Sequence, residues 1–210
     1  MISERKGHAV SVAADLTKAY DCEKVVEYAL NHYGRLDVLD NNIGIASNVS
    51  VVEESEEYWD RVMEINLKPM FLMSKYAIPA MISSGDGGSI INISSISATR
   101  PKGLTAYSTS KGAVLSLTQA MAVDHGSDGI RVNCILPGPV YTPMVYASSS
   151  YLNQEGMSSE QRSQRQNASL LQIEGEGWDI GKAVVYLSSN WARYITGHLM
   201  VVDGGCSLSA

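Results

Sequence analysis

No glycine stands between Gly7 and Gly34. A Gly-rich turn ahead of a helix is what lets backbone amides close on a pyrophosphate, so the N-terminal stretch offers no such cradle. The glycines of Gly85-Asp86-Gly87-Gly88 precede a strand-like run rather than open a helix. Cysteine is scarce: Cys22, Cys134 and Cys206 are odd in number and far apart, which excludes a disulfide framework and a zinc site and points to reduced, structural thiols. His8, His32, His125 and His198 lack metal-ligand spacing, so no metal is expected. No run is long enough to span a membrane, and no apolar signal segment opens the chain. A cytoplasmic protein is expected, with no membrane partner, in which the sequons at Asn48, Asn92 and Asn167 carry no meaning. Sixteen Lys and Arg stand against 22 Asp and Glu, a net charge of −6. That leaves no basic face to neutralise phosphates and excludes a nucleic-acid partner.

What is present suffices for a core. Hydrophobic residues make up 45% of the 210, which fits one folded domain. His8 to Ala14 reads as a short strand. Asp15 or Thr17 can cap the following helix, whose apolar face is Cys22, Val25, Val26, Ala29, Leu30 and Tyr33, with Gly34 as its stop. Leu36 to Asp40 is a second strand, leading into Asn41-Asn42-Ile43-Gly44. Glu56 to Met81 reads as one long helix, Ser89 to Ser95 as a buried strand, Tyr107 to His125 as a helix, and Ile130 to Leu136 as a strand broken by Pro137-Gly138-Pro139. A polar segment runs from Tyr146 to about Gly177. A helix over Trp178 to Ser188 and a strand over Leu199 to Val202 close the chain. Alternating strands and helices predict an α/β fold with a parallel sheet covered on both faces.

Chemistry concentrates at Ser94-Ser95 and Tyr107-Ser108-Thr109-Ser110-Lys111. Tyr107 and Lys111 are four apart and share a helix face, while the serines tip a strand. A free phenol titrates near pH 10. A neighbouring ammonium favours the phenolate and lowers that value, which makes the pair an acid–base unit. In the long helix, Trp59, Val62, Met63, Leu67 and Met70 form an apolar stripe that contains Asn66, a polar side chain in need of partners. Pro69 has no amide hydrogen for the carbonyl of Ile65, so a kink is expected there.

At these residues the chain resembles the short-chain dehydrogenase/reductase family, over nearly its whole length. The family places a serine about a dozen residues before Tyr-x-x-x-Lys, and Ser95, twelve before Tyr107, is the preferred match. The resemblance implies a Rossmann-type doubly wound sheet, a catalytic set of Asn66, Ser95, Tyr107 and Lys111, and NAD or NADP as cofactor. Ile65-Asn66-Leu67 matches the family's helix asparagine, whose backbone carbonyl holds a water linked to the lysine. Asn41-Asn42-Ile43-Gly44 looks like the Asn-Asn-Ala-Gly turn against the cofactor, with Ile43 in place of alanine and Asp40 where an apolar residue is usual. Pro137, Gly138, Val140 and Thr142 match the segment under the nicotinamide. Asp15-Leu16-Thr17 matches the end of the third strand, where the aspartate reaches the adenine; the helix-cap reading of Asp15 stands beside it. Ile195 to His198 and Val201 to Gly205 match the C-terminal strand and its flanks.

Against the family, the first strand, Gly-rich turn, helix and second strand are missing, about 45 to 60 residues by the size of a βαβ unit. The first strand is then expected to pair directly with the second or to hang loose, with low stability as the result. Two functions follow from the resemblance: reversible NAD(P)-linked interconversion of a secondary alcohol and a ketone, or a cofactor-deficient scaffold used as an isomerase, a cyclase or a binding protein. The family also implies a homodimer or homotetramer through the helices of Asn66 and Tyr107, with Tyr76, Leu115 and Ala122 as outer apolar positions. Residues 146–177 are expected to act as a substrate lid. Their apolar members and neighbours (Met144, Val145, Tyr146, Tyr151, Leu152, Met157, Leu170, Leu171) suit an apolar or cyclic ketone.

Overall fold

The computed structural model describes residues 7–101, 103–142, 144 and 158–209. The elements run α1 (Ala19–Tyr33), β1 (Val38–Asn41), α2 (Glu56–Asn66), α3 (Lys68–Ser83), β2 (Gly88–Ile93), a 3₁₀ turn (Ile96–Ala98), α4 (Thr105–His125), β3 (Ile130–Pro137), β4 (Val140–Tyr141), α5 (Ser159–Asn167), β5 (Gly175–Glu176), α6 (Gly177–Ser188) and β6 (Leu199–Val202). Four strands form one parallel sheet in the order β1-β2-β3-β6, and β4 pairs with β5 apart from it.

The strand register explains why both faces are covered. Leu39, Ile90 and Val132 stand side by side across three strands and pack with Cys22, Val26, Leu72, Met73, Ala77, Met81 and Met121 of α1, α3 and α4. The intervening Ile91, Ile93 and Ile135 face the other way, onto Leu187 with Ile180 and Val184 of α6. Runs buried on both faces are the mark of a parallel sheet between helix layers. This is a Rossmann-like α/β fold, as the alternation of elements predicts.

Two expectations fail at the N-terminus. Residues 8–14 form no strand. Val10 and Val12 are 46% and 50% exposed, and β2 is the one strand that pairs with β1 among the described residues. A segment with no neighbour to bond its backbone cannot hold a strand, so the loose arrangement prevails over direct pairing. Nor do Asp15 and Thr17 cap α1. Its N-cap is Lys18, which makes no side-chain cap bond, and Asp15 Oδ1 instead accepts from the amide and hydroxyl of Thr17 at 3.0 and 2.7 Å. The other end follows expectation: Gly34, at φ 76°, returns its N–H to the Leu30 carbonyl.

The expected long helix is two. Leu67, at φ −114° and ψ −49°, separates α2 from α3, beside the proline that leaves the Ile65 carbonyl without its helical donor. The break leaves Asn66, fully buried at the C-terminus of α2, facing Ile45 and the α4 residue Ser110.

Candidate active site

A chain of buried amides and hydroxyls ties the sheet to α4. Asn41 Nδ2 donates to Asn92 Oδ1 at 2.9 Å, Asn92 Nδ2 donates to Thr118 Oγ1 at 2.9 Å, and Thr118 Oγ1 donates to the Val114 carbonyl at 2.8 Å. The Asn92 amide and the Thr118 hydroxyl, in an otherwise apolar layer, thereby have partners, as burial demands. Ser94 extends the fastening: its Oγ donates to the Lys111 carbonyl at 2.7 Å.

The paired serines thus part company. Ser94 is 3% exposed and spent on the α4 backbone. Ser95 sits where β2 ends, caps the 3₁₀ turn by accepting from Ser97 N at 3.1 Å, and shares a cavity wall with Tyr107. Lys111 is 3% exposed. Its Nζ donates to the Ile93 carbonyl at 2.8 Å and lies 5.8 Å from the centre of the Tyr107 ring. Burial pushes the Tyr107 phenol up, with the neighbouring Ser95 hydroxyl opposing, and burial pushes Lys111 down to about 8. The expected lowering of the phenol by the ammonium is therefore not met: loss of solvent is the largest influence on both groups.

Asn66 makes its contacts through its side chain. Oδ1 accepts from Ile45 N at 2.7 Å, and Nδ2 donates to the Ile45 carbonyl and to Ser110 Oγ, both at 2.9 Å. Ser110 Oγ in turn donates to the Tyr107 carbonyl at 2.7 Å. Gly44 lies in the angle between these groups; a methyl in place of its hydrogen would stand 3.2 Å from Asn66 Oδ1 and 3.3 Å from Lys111 Nζ. The asparagine that breaks the apolar stripe thus braces the Asn41–Gly44 turn against the first turn of α4.

Above these residues lies a cavity of about 680 Å³. Asn42, Ser95, Tyr107, Lys111, Pro137, Gly138, Val140 and Thr142 of the expected site line it. Asp15, Leu16, Ile43 and Gly44 do not. Asp15 is occupied by Thr17, Leu16 packs on the α1–α3 core, Ile43 is 51% exposed, and Gly44 is packed behind Lys111. Asp40 also lines the cavity, and burial pushes its carboxyl up although much of the residue faces solvent.

Trp178, Ile180, Gly181, Val184 and Arg165 complete the wall. Sequence reasoning missed the α6 residues because the stripe that seats a helix on a sheet does not tell which of its ends overhangs a cleft. Of the expected lid segment 146–177, Arg165 and Gly177 line the cavity, as does Met144 just before it. Leu170 and Leu171 are 58% and 66% exposed and pack at Gly204 and Gly205 instead, while 145–157 lie outside the described residues. Among the described residues, no cluster of His, Cys, Asp or Glu is placed to hold a metal, and no helix is long and apolar enough to cross a membrane.

A family model described as Enoyl-(Acyl carrier protein) reductase matches residues 1–207. Glucose 1-dehydrogenase 2 of Bacillus subtilis is 33% identical over 99% of this chain and 78% of its own length. The meso-2,3-butanediol dehydrogenase of Serratia marcescens is 33% identical over 97% and 77%. Among solved structures, the ligand-free aldohexose dehydrogenase of Thermoplasma acidophilum superposes with a TM-score of 0.88 at 33% identity, over 97% of this chain and 81% of that one.

Proposed function

The chain belongs to the short-chain dehydrogenase/reductase family, and from that premise we propose that it interconverts a secondary alcohol and a ketone with NAD or NADP. One observation carries the reading: Ser95, Tyr107, Lys111 and the Val140–Thr142 strand end stand in the wall of a single cavity. The nicotinamide end of the dinucleotide fits the lining formed by Asn42, Tyr107, Lys111, Gly138, Val140 and Thr142. When bound, the dinucleotide supplies or accepts the hydride.

This chain's own residues handle the proton. Tyr107 gives its phenolic proton to the carbonyl oxygen in reduction and takes it back in oxidation. Ser95 donates a hydrogen bond to the same oxygen and fixes its position, an orienting effect of the kind that lowers barriers. Lys111 stabilises the phenolate that reduction leaves on Tyr107. Asn66 keeps the turn behind Lys111 in place. Met144, Leu104, Trp178 and Val184 give the cavity an apolar wall, which favours an apolar or cyclic ketone over a charged carrier-bound one.

The test is turnover of a panel of secondary alcohols with NAD⁺ and NADP⁺, for wild type and Tyr107→Phe. Turnover should fall by roughly 10²–10⁴-fold in the variant while dinucleotide binding holds. Near wild-type rates in Tyr107→Phe would remove the tyrosine from the role.

One observation favours a second reading, a cofactor-independent use of the same site by an isomerase, a cyclase or a binding protein. Asp40 puts a carboxylate on the cavity wall, which opposes a polyanionic ligand. Calorimetry with NADH separates the two readings, because only the first requires binding.

A further inference from the structure

The strand that carries Val140 belongs to no large sheet. β4 is two residues long, and β5 is its partner, with Val140 opposite Gly175 and Tyr141 opposite Glu176. So short a pair is not stable alone, and its position must come from elsewhere.

It comes from Glu174. This carboxylate, only 5% exposed, sits one residue before β5 and between two arginines of α5. Oε2 accepts from Arg162 Nε and Nη2 at 3.0 and 2.8 Å, and Oε1 accepts from Arg165 Nε at 3.1 Å. Each arginine then reaches on to β4. Arg165 Nη2 donates to the Val140 carbonyl at 3.0 Å, and the Arg162 guanidinium lies 4.4 Å from the centre of the Tyr141 ring. Arg162 and Arg165 are three apart, on one face of α5, and a planar fork serves two acceptors at once in a way that a lysine cannot. Arg165 also lines the cavity. One carboxylate thus gathers α5, β4 and β5 at the wall where Val140 and Thr142 stand.

We propose that Glu174, Arg162 and Arg165 are positioning residues: together they clasp the Val140–Thr142 strand end to α5 and so set the grip of the site on the nicotinamide end of the dinucleotide. The proposal rests on the dinucleotide reading above. Without Glu174 the two guanidiniums, 48% and 22% exposed, have no carboxylate between them to hold them together. Arg165 then no longer holds the Val140 carbonyl, and the strand loses its brace. The clasp stands at the Val140–Thr142 wall, so its loss would bear on the nicotinamide end of the ligand rather than on the adenosine end.

Titration of wild type, Glu174→Gln, Arg165→Met and Arg165→Lys with NADH and with ADP-ribose, which lacks the nicotinamide, tests this. Tryptophan fluorescence gives the readout, since Trp178 lines the cavity. The NADH Kd should rise roughly tenfold or more in Glu174→Gln and Arg165→Met, with the ADP-ribose Kd unchanged and Arg165→Lys in between. Equal weakening of both ligands, or no change in NADH affinity, overturns the clasp while the dinucleotide reading stands. If wild type binds neither ligand, the dinucleotide reading itself falls and takes the clasp with it. Arg165→Met keeps Glu174 paired with Arg162 and remains informative where Glu174→Gln fails to fold.

Discussion

The ammonium of Lys111 donates to the Ile93 carbonyl at 2.8 Å, so the tip of β2 holds the charge that stands beside Tyr107. This charge is held against solvation. Burial lowers the Lys111 pKa from 10.5 to about 8.

The sign of the pH effect follows. The folded state resists protonation of Lys111, so its contribution to stability is full above the unfolded value near 10.5 and is lost as pH falls through about 8. Lys111→Met should therefore be more stable than wild type at pH 7, by about 1–2 kcal/mol once the lost bond to Ile93 is set against the relieved desolvation. The gap should close as pH approaches 10.5. Thermal melts at pH 7 and pH 10 measure it. A variant less stable at both would mean that the ammonium holds the fold together.

Asn66 should behave as a structural brace. Asn66→Ala leaves the Ile45 amide and carbonyl without the partners at 2.7 and 2.9 Å and opens a small void. A loss of about 2–4 kcal/mol is expected. Urea denaturation gives the magnitude, and faster hydrogen exchange at the Ile45 amide locates it. Unchanged exchange there would place the cost elsewhere.

Gly44 has little room to spare. Gly44→Ala sets a methyl 3.2 Å from Asn66 Oδ1 and 3.3 Å from Lys111 Nζ, so both must yield by a few tenths of an ångström. Overpacking of this kind costs about 1–3 kcal/mol, and here it also moves Lys111. Stability should drop moderately and turnover more steeply. A variant that loses stability with full turnover would show that the lysine tolerates the shift.

Assembly is tested on the helices the sequence suggests, α2, α3 and α4, but at other positions. Ala122 is 7% exposed and belongs to the core, and Tyr76 and Leu115 pack partly against core clusters. An apolar groove lies instead along Met63, Leu67, Phe71, Ala113 and Leu117, where Phe71 is 50% exposed. We propose that a second copy covers it, since exposed apolar patches of this kind mark contact surfaces. Light scattering at micromolar concentration should show a dimer or tetramer for wild type and a shift toward monomer for Phe71→Glu. A wild-type monomer removes the proposal.

The sequence alone determined what depends on neighbours along the chain. The spacing of Val114, Thr118 and Met121 set the buried face of α4, Pro69 set the break after Asn66, and the unbroken apolar run of β2 set a strand covered on both sides. Each follows from the period of a helix or strand, or from a missing donor, and neither needs a partner distant in the chain. The tertiary structure decided what depends on such partners. Residues 8–14 carry a strand pattern but lie loose, because a strand exists only beside another. Which of Ser94 and Ser95 keeps its hydroxyl proton for the site was settled by the Lys111 carbonyl, which claims that of Ser94. The direction of the Tyr107 and Lys111 shifts was settled by burial, a property of everything packed around them. Glu174 reads in the sequence as one more acidic residue in a polar stretch. Only the approach of α5 to β4 surrounds it with two arginines, and that approach is a long-range event that no local pattern encodes.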